Sequence, residues 1–319
     1  MTTLANRVEI IKLAQVLDVD EGELASLAGL PADDIRTVRT AVGEQIFTQH
    51  EARFRRIAKL AATVPAPLSA KIAQMALSPL LGARVAAVME PSVAVKLAGS
   101  LGTSYLADLS VALDPVRAEP IIARIPVGMI KEIGALLVER QEYFALGRFV
   151  SVIEPDTALE VVRDASGRDL LQVALFADDL EALDALVQRV DDERLVDAIR
   201  AAHEEGLYDD AVTLVVSVSP TSRERLVPLI AALEASGVDA FARSIDRYEA
   251  WSAVLPALAE LDDDRLATVA NNEATLADGM LPRMIVAARE LALDDLVDRL
   301  PGVLDESHVT AAGPALTPT

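Results

Sequence analysis

Residues 65–126 read PAPLSAKIAQMALSPLLGARVAAVMEPSVAVKLAGSLGTSYLADLSVALDPVRAEPIIARIP. Pro65, Pro79, Pro91, Thr103, Pro115 and Pro126 recur in this stretch at spacings of 14, 12, 12, 12 and 11 residues. Six residues after the four starts from Pro79 to Pro115 stand Val85, Leu97, Leu109 and Ile121, and ten residues after them stand Met89, Leu101, Leu113 and Ile125. The two sets are four apart, so in a helix they stack on one face. Proline suits the first helical position, where its missing N–H costs nothing and its φ is already set. The spacing therefore predicts a unit of about two helical turns, a turn, and a proline opening the next helix. An amphipathic helix this short cannot bury its own stripe. Stacked on copies of itself it can, with a shared apolar spine, and a fixed period of this kind is the mark of a solenoid.

Composition points the same way. Of 319 residues 52% are hydrophobic but only 3% aromatic, and there is no cysteine. The core must be aliphatic; Ala and Leu lead the helix propensities, and the aromatic strand formers are scarce. The fold class expected is all-α: an α-solenoid or superhelix of short antiparallel helices with an N-terminal helical cap. This apolar content excludes disorder. The lack of cysteine excludes disulfides, thiolate metal sites and a cysteine nucleophile. The longest uncharged stretches before the tail, 72–83 and 211–222, have 12 residues each, short of the roughly 20 a membrane span needs. The first residues lack a basic segment followed by an apolar run, so no secretory signal is read there, and a cytoplasmic location is expected.

Leu77-Ser78-Pro79, Met89-Glu90-Pro91, Leu113-Asp114-Pro115 and Ile125-Pro126, with short Ala/Leu helices between them, resemble the N-terminal cytosolic superhelical domain of MgtE-type magnesium transporters. The resemblance covers roughly residues 64–160. It implies a right-handed array of short helices punctuated by Leu-Asp-Pro or Leu-Pro steps. It does not extend to a nucleotide-like regulatory domain or to membrane helices. In that family acidic side chains of the domain help sense Mg²⁺; here residues 79–126 carry only Glu90, Asp108, Asp114 and Glu119. The resemblance thus implies the fold and not the transport.

Four regions are expected: a helical cap over 1–62, the proline-punctuated solenoid over 63–150, an acidic helical repeat region over 151–306 and a flexible tail over 307–319. In the cap, Val8, Ile11, Leu13 and Leu17 give one apolar face. Asp20 with Glu23 forms a capping-box pattern for a helix that Gly29 and Pro31 end. A further helix runs from Asp33 to about Val42, and an amphipathic one from Glu44 to Leu60, with Ile46, Phe47, His50, Phe54, Ile57 and Leu60 along one side. The short early helices resemble a helix-turn-helix module. Residues 18–34, however, hold six acids and no base, and a recognition helix must meet phosphates. Beyond residue 138 the acids cluster at predicted helix starts, where a carboxylate caps free N–H groups and meets the positive end of the helix dipole.

Charge is unevenly spread. The formal net charge is -21; residues 1–150 carry 16 basic and 16 acidic residues, and 151–319 carry 13 and 34. The acidic half should repel phosphates and anionic lipid and could take a basic partner; its plainer use is a solvated surface that keeps an alanine-rich chain soluble. Arg53, Arg55, Arg56 and Lys59 are the one dense basic cluster and the candidate interaction residues, able to meet nucleic acid, an anionic membrane surface or acidic protein. Aromatic interleaving is minimal, which disfavours single-strand stacking.

No motif nominates an enzyme. His50, His203 and His308 are scattered, and no HExxH, P-loop, GxGxxG or GxSxG pattern occurs. His203, just before Gly206, reads as a partner for the helix C-terminus. Asp262, Asp263 and Asp264 could attract a hard cation, but they lack the spacing of a calcium loop and read as a helix cap. No cofactor and no catalytic residue is expected. The first expectation for function is a non-enzymatic helical-repeat scaffold binding another protein. The alternatives are a DNA-binding regulator using residues 1–60, and a lipid-surface or acyl-chain-binding protein using residues 60–130, where few charges leave helices either buried on both sides or exposing an apolar groove.

Overall fold

The computed structural model describes residues 4–17, 19–277 and 279–316, and among them it contains helices and no strand. The all-α helical-repeat reading holds. The chain divides into two compact units, one formed by residues 1–165 with 172–186 and the other by 166–171 with 187–319.

The first unit opens with α1 (Leu4–Leu17), a 3-10 turn (Glu21–Leu27), α2 (Ala32–Thr48) and α3 (Glu51–Thr63). The capping box at Asp20 is present: its carboxylate accepts from Gly22 N at 2.8 Å, and Glu23 reaches back to Asp20 N. The segment it opens is 3-10 rather than α, a long run for that geometry. Two expected boundaries are corrected. The helix begun at Asp33 continues through Gly43 to Thr48, and the expected single helix over 44–60 is broken at Gln49-His50. In an unbroken helix residues 47 and 54 would sit about 10 Å apart along the axis. The break brings the rings of Phe47 and Phe54 to 5.7 Å, into one cluster with Val85 and Met89. The side chain of Ile46, expected on the same face, lies outside the described residues.

Five charged groups fasten α1 and α2. Glu9 and Lys12 are 2% exposed. Lys12 donates to Asp178 Oδ1 at 2.9 Å and to the Ala177 carbonyl at 3.2 Å, and Arg39 joins Glu9 at 3.1 Å and Asp178 at 2.9 Å. Arg36 completes the shell at 3.2 Å from Glu9. Burial pushes the Asp178 carboxyl up, and Lys12 and Arg39 together outweigh burial and hold it below its ordinary value.

Then follow α4 (Ala66–Ala76), α5 (Pro79–Ala86), α6 (Pro91–Ala98), α7 (Thr103–Ala112), α8 (Pro115–Ile122), α9 (Val127–Glu139), α10 (Tyr143–Phe149) and α11 (Pro155–Val161). Pro79, Pro91 and Pro115 stand at the first helical position, as the spacing predicts. Ser78, Glu90 and Asp114 immediately before them are N-caps, accepting from the N–H three residues on. Pro65 and Pro126 instead occupy the cap position itself. Helices pack on their second neighbours: α3, α5, α7, α9 and α11 form one row, and α4, α6 and α8 form another. The rows close up through small residues. Ala83, Ala94, Ala107 and Ala118 are buried, two of them completely. A Cβ on Gly134 would stand 2.4 Å from Val161, so α9 and α11 touch at a position only glycine allows.

The remaining helices are α12 (Gly167–Leu175), α13 (Leu180–Arg189), α14 (Asp192–Glu204), α15 (Tyr208–Ser217), α16 (Pro220–Ala231), α17 (Ala235–Arg247), α18 (Trp251–Ala259), α19 (Asp263–Ala270), α20 (Glu273–Leu276), α21 (Met280–Glu290), α22 (Asp294–Val303) and α23 (Glu306–Ala312). From α14 onward the second unit repeats every 43 residues. Gly206, Glu249 and Ala292 all have φ between 54° and 69°. After each, the next N–H closes back onto a carbonyl five residues earlier: Leu207 to Ala202, Ala250 to Ile245 and Leu293 to Ala288, at 2.8 to 2.9 Å. This is the Schellman C-cap. Thirteen residues beyond each come the N-caps Ser219, Asp262 and Asp305. Val218, Leu261 and Leu304, just ahead of those caps, are all buried.

Residues 307–312, expected in a flexible tail, belong to α23. Asp305 caps it, and His308, 3% exposed, hydrogen-bonds to the Asn272 carbonyl at 3.1 Å. A capped turn with a buried ring and the buried Ala312 outweighs the small-residue composition that suggested a tail. Thr317 to Thr319 lie outside the described residues.

Candidate functional site

A cavity of about 410 Å³ runs between the two rows of the short-helix array. Its walls come from Ile57 and Leu60 on α3, through α4 to α10, to Val161 on α11. One row alone contributes five successive helices. At roughly 8–10 Å between helix neighbours, that makes an elongated slot rather than a round chamber.

The residues that mark the repeat build this slot. Val85, Leu97, Leu109 and Ile121, with Met89, Leu101, Leu113 and Ile125, all line it. Of these only Val85 and Met89 are buried; the other six are half-buried. The spine expected from the sequence is therefore split in two. Alanines make the close contacts within each row, and the large aliphatic side chains of the two rows face one another across open space. The slot continues past residue 130, where the sequence reading stopped, to Ile133, Leu137, Leu146 and Phe149. The proline marks fade there, so the residues of this end carried no periodic signal.

Polar atoms on the walls are spoken for. The Ser69 hydroxyl donates to the Ala61 carbonyl at 3.0 Å, and Ser110 to Leu106 at 2.9 Å. Tyr105 shares its proton between the carbonyls of Ala73 and Leu77, at 3.3 and 3.2 Å. Burial, with Asp108 adding, pushes the Tyr105 phenol up from its ordinary value, so it stays neutral. The slot thus offers a ligand contact and exclusion of water, and almost no hydrogen bonds.

One end opens at α3 and α4. Leu60 and Ile72 line the slot and are 68% and 51% exposed. Ile72 shares its helix face with Leu68 and Met75, one turn to either side, and these are 52% and 79% exposed. The predicted interaction residues Arg53, Arg55, Arg56 and Lys59 lie on α3 beside this mouth, all exposed. Arg53 precedes Ile57, and Arg56 precedes Leu60, by one helical turn. Arg55 turns aside to Glu51 at 2.8 Å; the side chains of Arg53, Arg56 and Lys59 have no ion-pair or hydrogen-bond partner among the described residues. The helix-turn-helix-like segment carries Glu21, Glu23, Asp33 and Asp34 on exposed positions instead.

The other candidates resolve into helix chemistry. Asp262 caps α19, accepting from Arg265 N at 2.8 Å, and Asp263 takes Arg299 at 2.8 Å. No group of three or more metal-ligating side chains stands together among the described residues. His203, in the last turn of α14, bridges the Tyr208 hydroxyl at 2.7 Å and Glu234 at 2.8 Å. That hydrogen bond, with one from Ser236, holds the Glu234 carboxyl below its ordinary value. No described helix is long and apolar enough to cross a membrane. Comparison with family models, with curated proteins and with solved structures gives no match, so the reading of this site rests on its own residues.

Proposed function

We propose that the short-helix array is a non-enzymatic binding module whose slot takes one long hydrocarbon chain. The observation that carries this reading is the composition of the slot: an extended apolar space of about 410 Å³ whose few hydroxyls are already bonded to backbone carbonyls. The volume falls in the range of ligand sites, roughly 300–1,000 Å³. Its narrow length suits a flexible alkyl chain better than a compact or polar molecule. Energetics point the same way: a chain that fills the slot takes its own apolar surface and that of the walls out of water, worth about 25 cal/mol per Å².

The expected protein partner is the competing occupant. An amphipathic helix would lay anchors at i, i+3 or i+4 and i+7 across the mouth, with its backbone outside the slot. The two are separated by titrating the full chain with a neutral long-chain fatty alcohol, followed by displacement of an environment-sensitive fluorescent analogue. Ala86→Phe, which narrows the slot at a half-buried wall position, should weaken binding at least tenfold. Ile125→Phe is a second block should the first fail to fold. Saturable binding that both blocks abolish supports the reading. No binding by the wild-type chain, or binding indifferent to both blocks, overturns it.

A further inference from the structure

The mouth of the slot combines two features that a hydrocarbon site in solution does not need. Leu60, Leu68, Ile72 and Met75 form a contiguous exposed apolar rim, half or more of each side chain in water. Beside them residues 52–89 contain six cations and not one carboxylate, in a chain whose net charge is -21. Arg53, Arg56 and Lys59 of that set are unpaired and exposed. A rim of aliphatic side chains flanked by free cations is the pattern of a helix lying in a lipid interface, apolar face in the acyl region and cations at the headgroups.

We infer that the α3–α4 rim docks on an anionic bilayer surface, placing the slot mouth against the acyl chains. This rests on the hydrocarbon-slot reading for its purpose but not for its test. Long-range repulsion between the acidic residues and the lipid does not decide the outcome. At physiological salt the Debye length is about 8 Å, so the charges nearest the headgroups govern contact, and on α3 and α4 these are five cations and one carboxylate, Glu51, which pairs with Arg55. An acidic protein helix would also complement the cations. It would leave the outer stripe of α4 wet, because Leu68 and Met75 stand beyond the slot walls. A planar lipid surface covers the stripe and the mouth together.

The test uses the full chain sedimented with vesicles of phosphatidylcholine alone or mixed with phosphatidylglycerol. Association is expected only with the anionic vesicles and should fall as salt rises. Each basic residue near such a surface contributes about 1 kcal/mol. Replacing Arg53, Arg56 and Lys59 by Gln together should therefore weaken association roughly a hundredfold. Leu68→Ser with Met75→Ser should weaken it independently, while both variants bind fatty alcohol in solution as the wild type does. Equal binding to neutral vesicles, or a triple variant that sediments like the wild type, overturns the docking. Vesicle binding lost while alcohol binding persists removes only the docking. Alcohol binding absent while anionic vesicles still capture the chain removes only the hydrocarbon slot and leaves the docking in place.

Discussion

The proline-marked array holds a cavity of about 410 Å³ between its rows, whereas a cavity of the 43-residue repeats, among Val212, Phe241 and Val269, measures about 30 Å³. Both regions stack short helices on their second neighbours, but the repeats also pack third neighbours, α16 on α19, α17 on α20, α18 on α21 and α19 on α22, where the array packs α7 on α10. Side-chain size adds to the difference. In the array the close contacts are made by Ala83, Ala94, Ala107 and Ala118, and the buried residues of the first unit fall into four separate clusters. In the repeats Phe241, Trp251, Leu255, Met284 and Ile285 fill the interior, in one cluster reaching from Leu171 to Ala312. Third-neighbour packing and large interior side chains together give the repeats a solid core; the array, with little of that packing, keeps a slot.

Truncation should separate the two regions most sharply. Phe241→Ala, at 1% exposure, is expected to cost about 3–5 kcal/mol, followed by denaturant unfolding through Trp251, the only tryptophan. Leu109→Ala, half-buried on the slot wall, should cost about 1 kcal/mol, since it adds little to a space already open. Equal losses at the two sites would erase the contrast.

A smaller effect sharpens the account of the repeats. Glu249 and Ala292 hold a left-handed backbone, with φ of 54° and 56°, where Gly206 does so freely. Glu249→Gly should stabilise the second unit by about 0.5–1 kcal/mol, read as a rise in denaturation midpoint. A fall would show that the Glu249 side chain matters more than its backbone.

The most local effect is on acidification. Ser219, Asp262 and Asp305 are equivalent caps, the first a hydroxyl and the other two carboxylates. The His308 N–H, with the Ser307 hydroxyl and the His308 ring, holds the Asp305 carboxyl far below the ordinary carboxylate range. Its stabilisation of α23 is complete above the ordinary value and is lost as pH falls toward the depressed one. Amide protection over 306–312, taken relative to the intrinsic exchange rate at each pH, should fall between neutral pH and about pH 3 more than over 220–231, where a hydroxyl caps the helix. A matching fall in both would remove Asp305 as the cause.

The sequence exposed the array because proline cannot hide: Pro79, Pro91 and Pro115 set the helix starts, and their caps followed. It also named eight of the side chains that line the slot, but as a closed spine. Helical period tells which face a residue occupies; the close packing within each row depends on alanines and on the approach of Gly134 to Val161, which no period announces. The 43-residue repeat stayed invisible because its marks are a glycine, a glutamate and an alanine, alike in dihedral angle and unlike in chemistry. The mouth was half legible. Arg53, Arg56 and Lys59 stood out as charge, while the exposure of Leu68, Ile72 and Met75 belongs to the packing of α4.

The thirteen-residue interval between each left-handed turn and the following cap governs how this chain can change. One added residue inside it would rotate Val218, Leu261 or Leu304 by about 100° and pull an aliphatic side chain out of the interior. Whole copies carry their turn and their cap with them. Growth or loss in multiples of 43 therefore leaves every interface with its familiar neighbour, and the second unit is free to vary in length but not in phase.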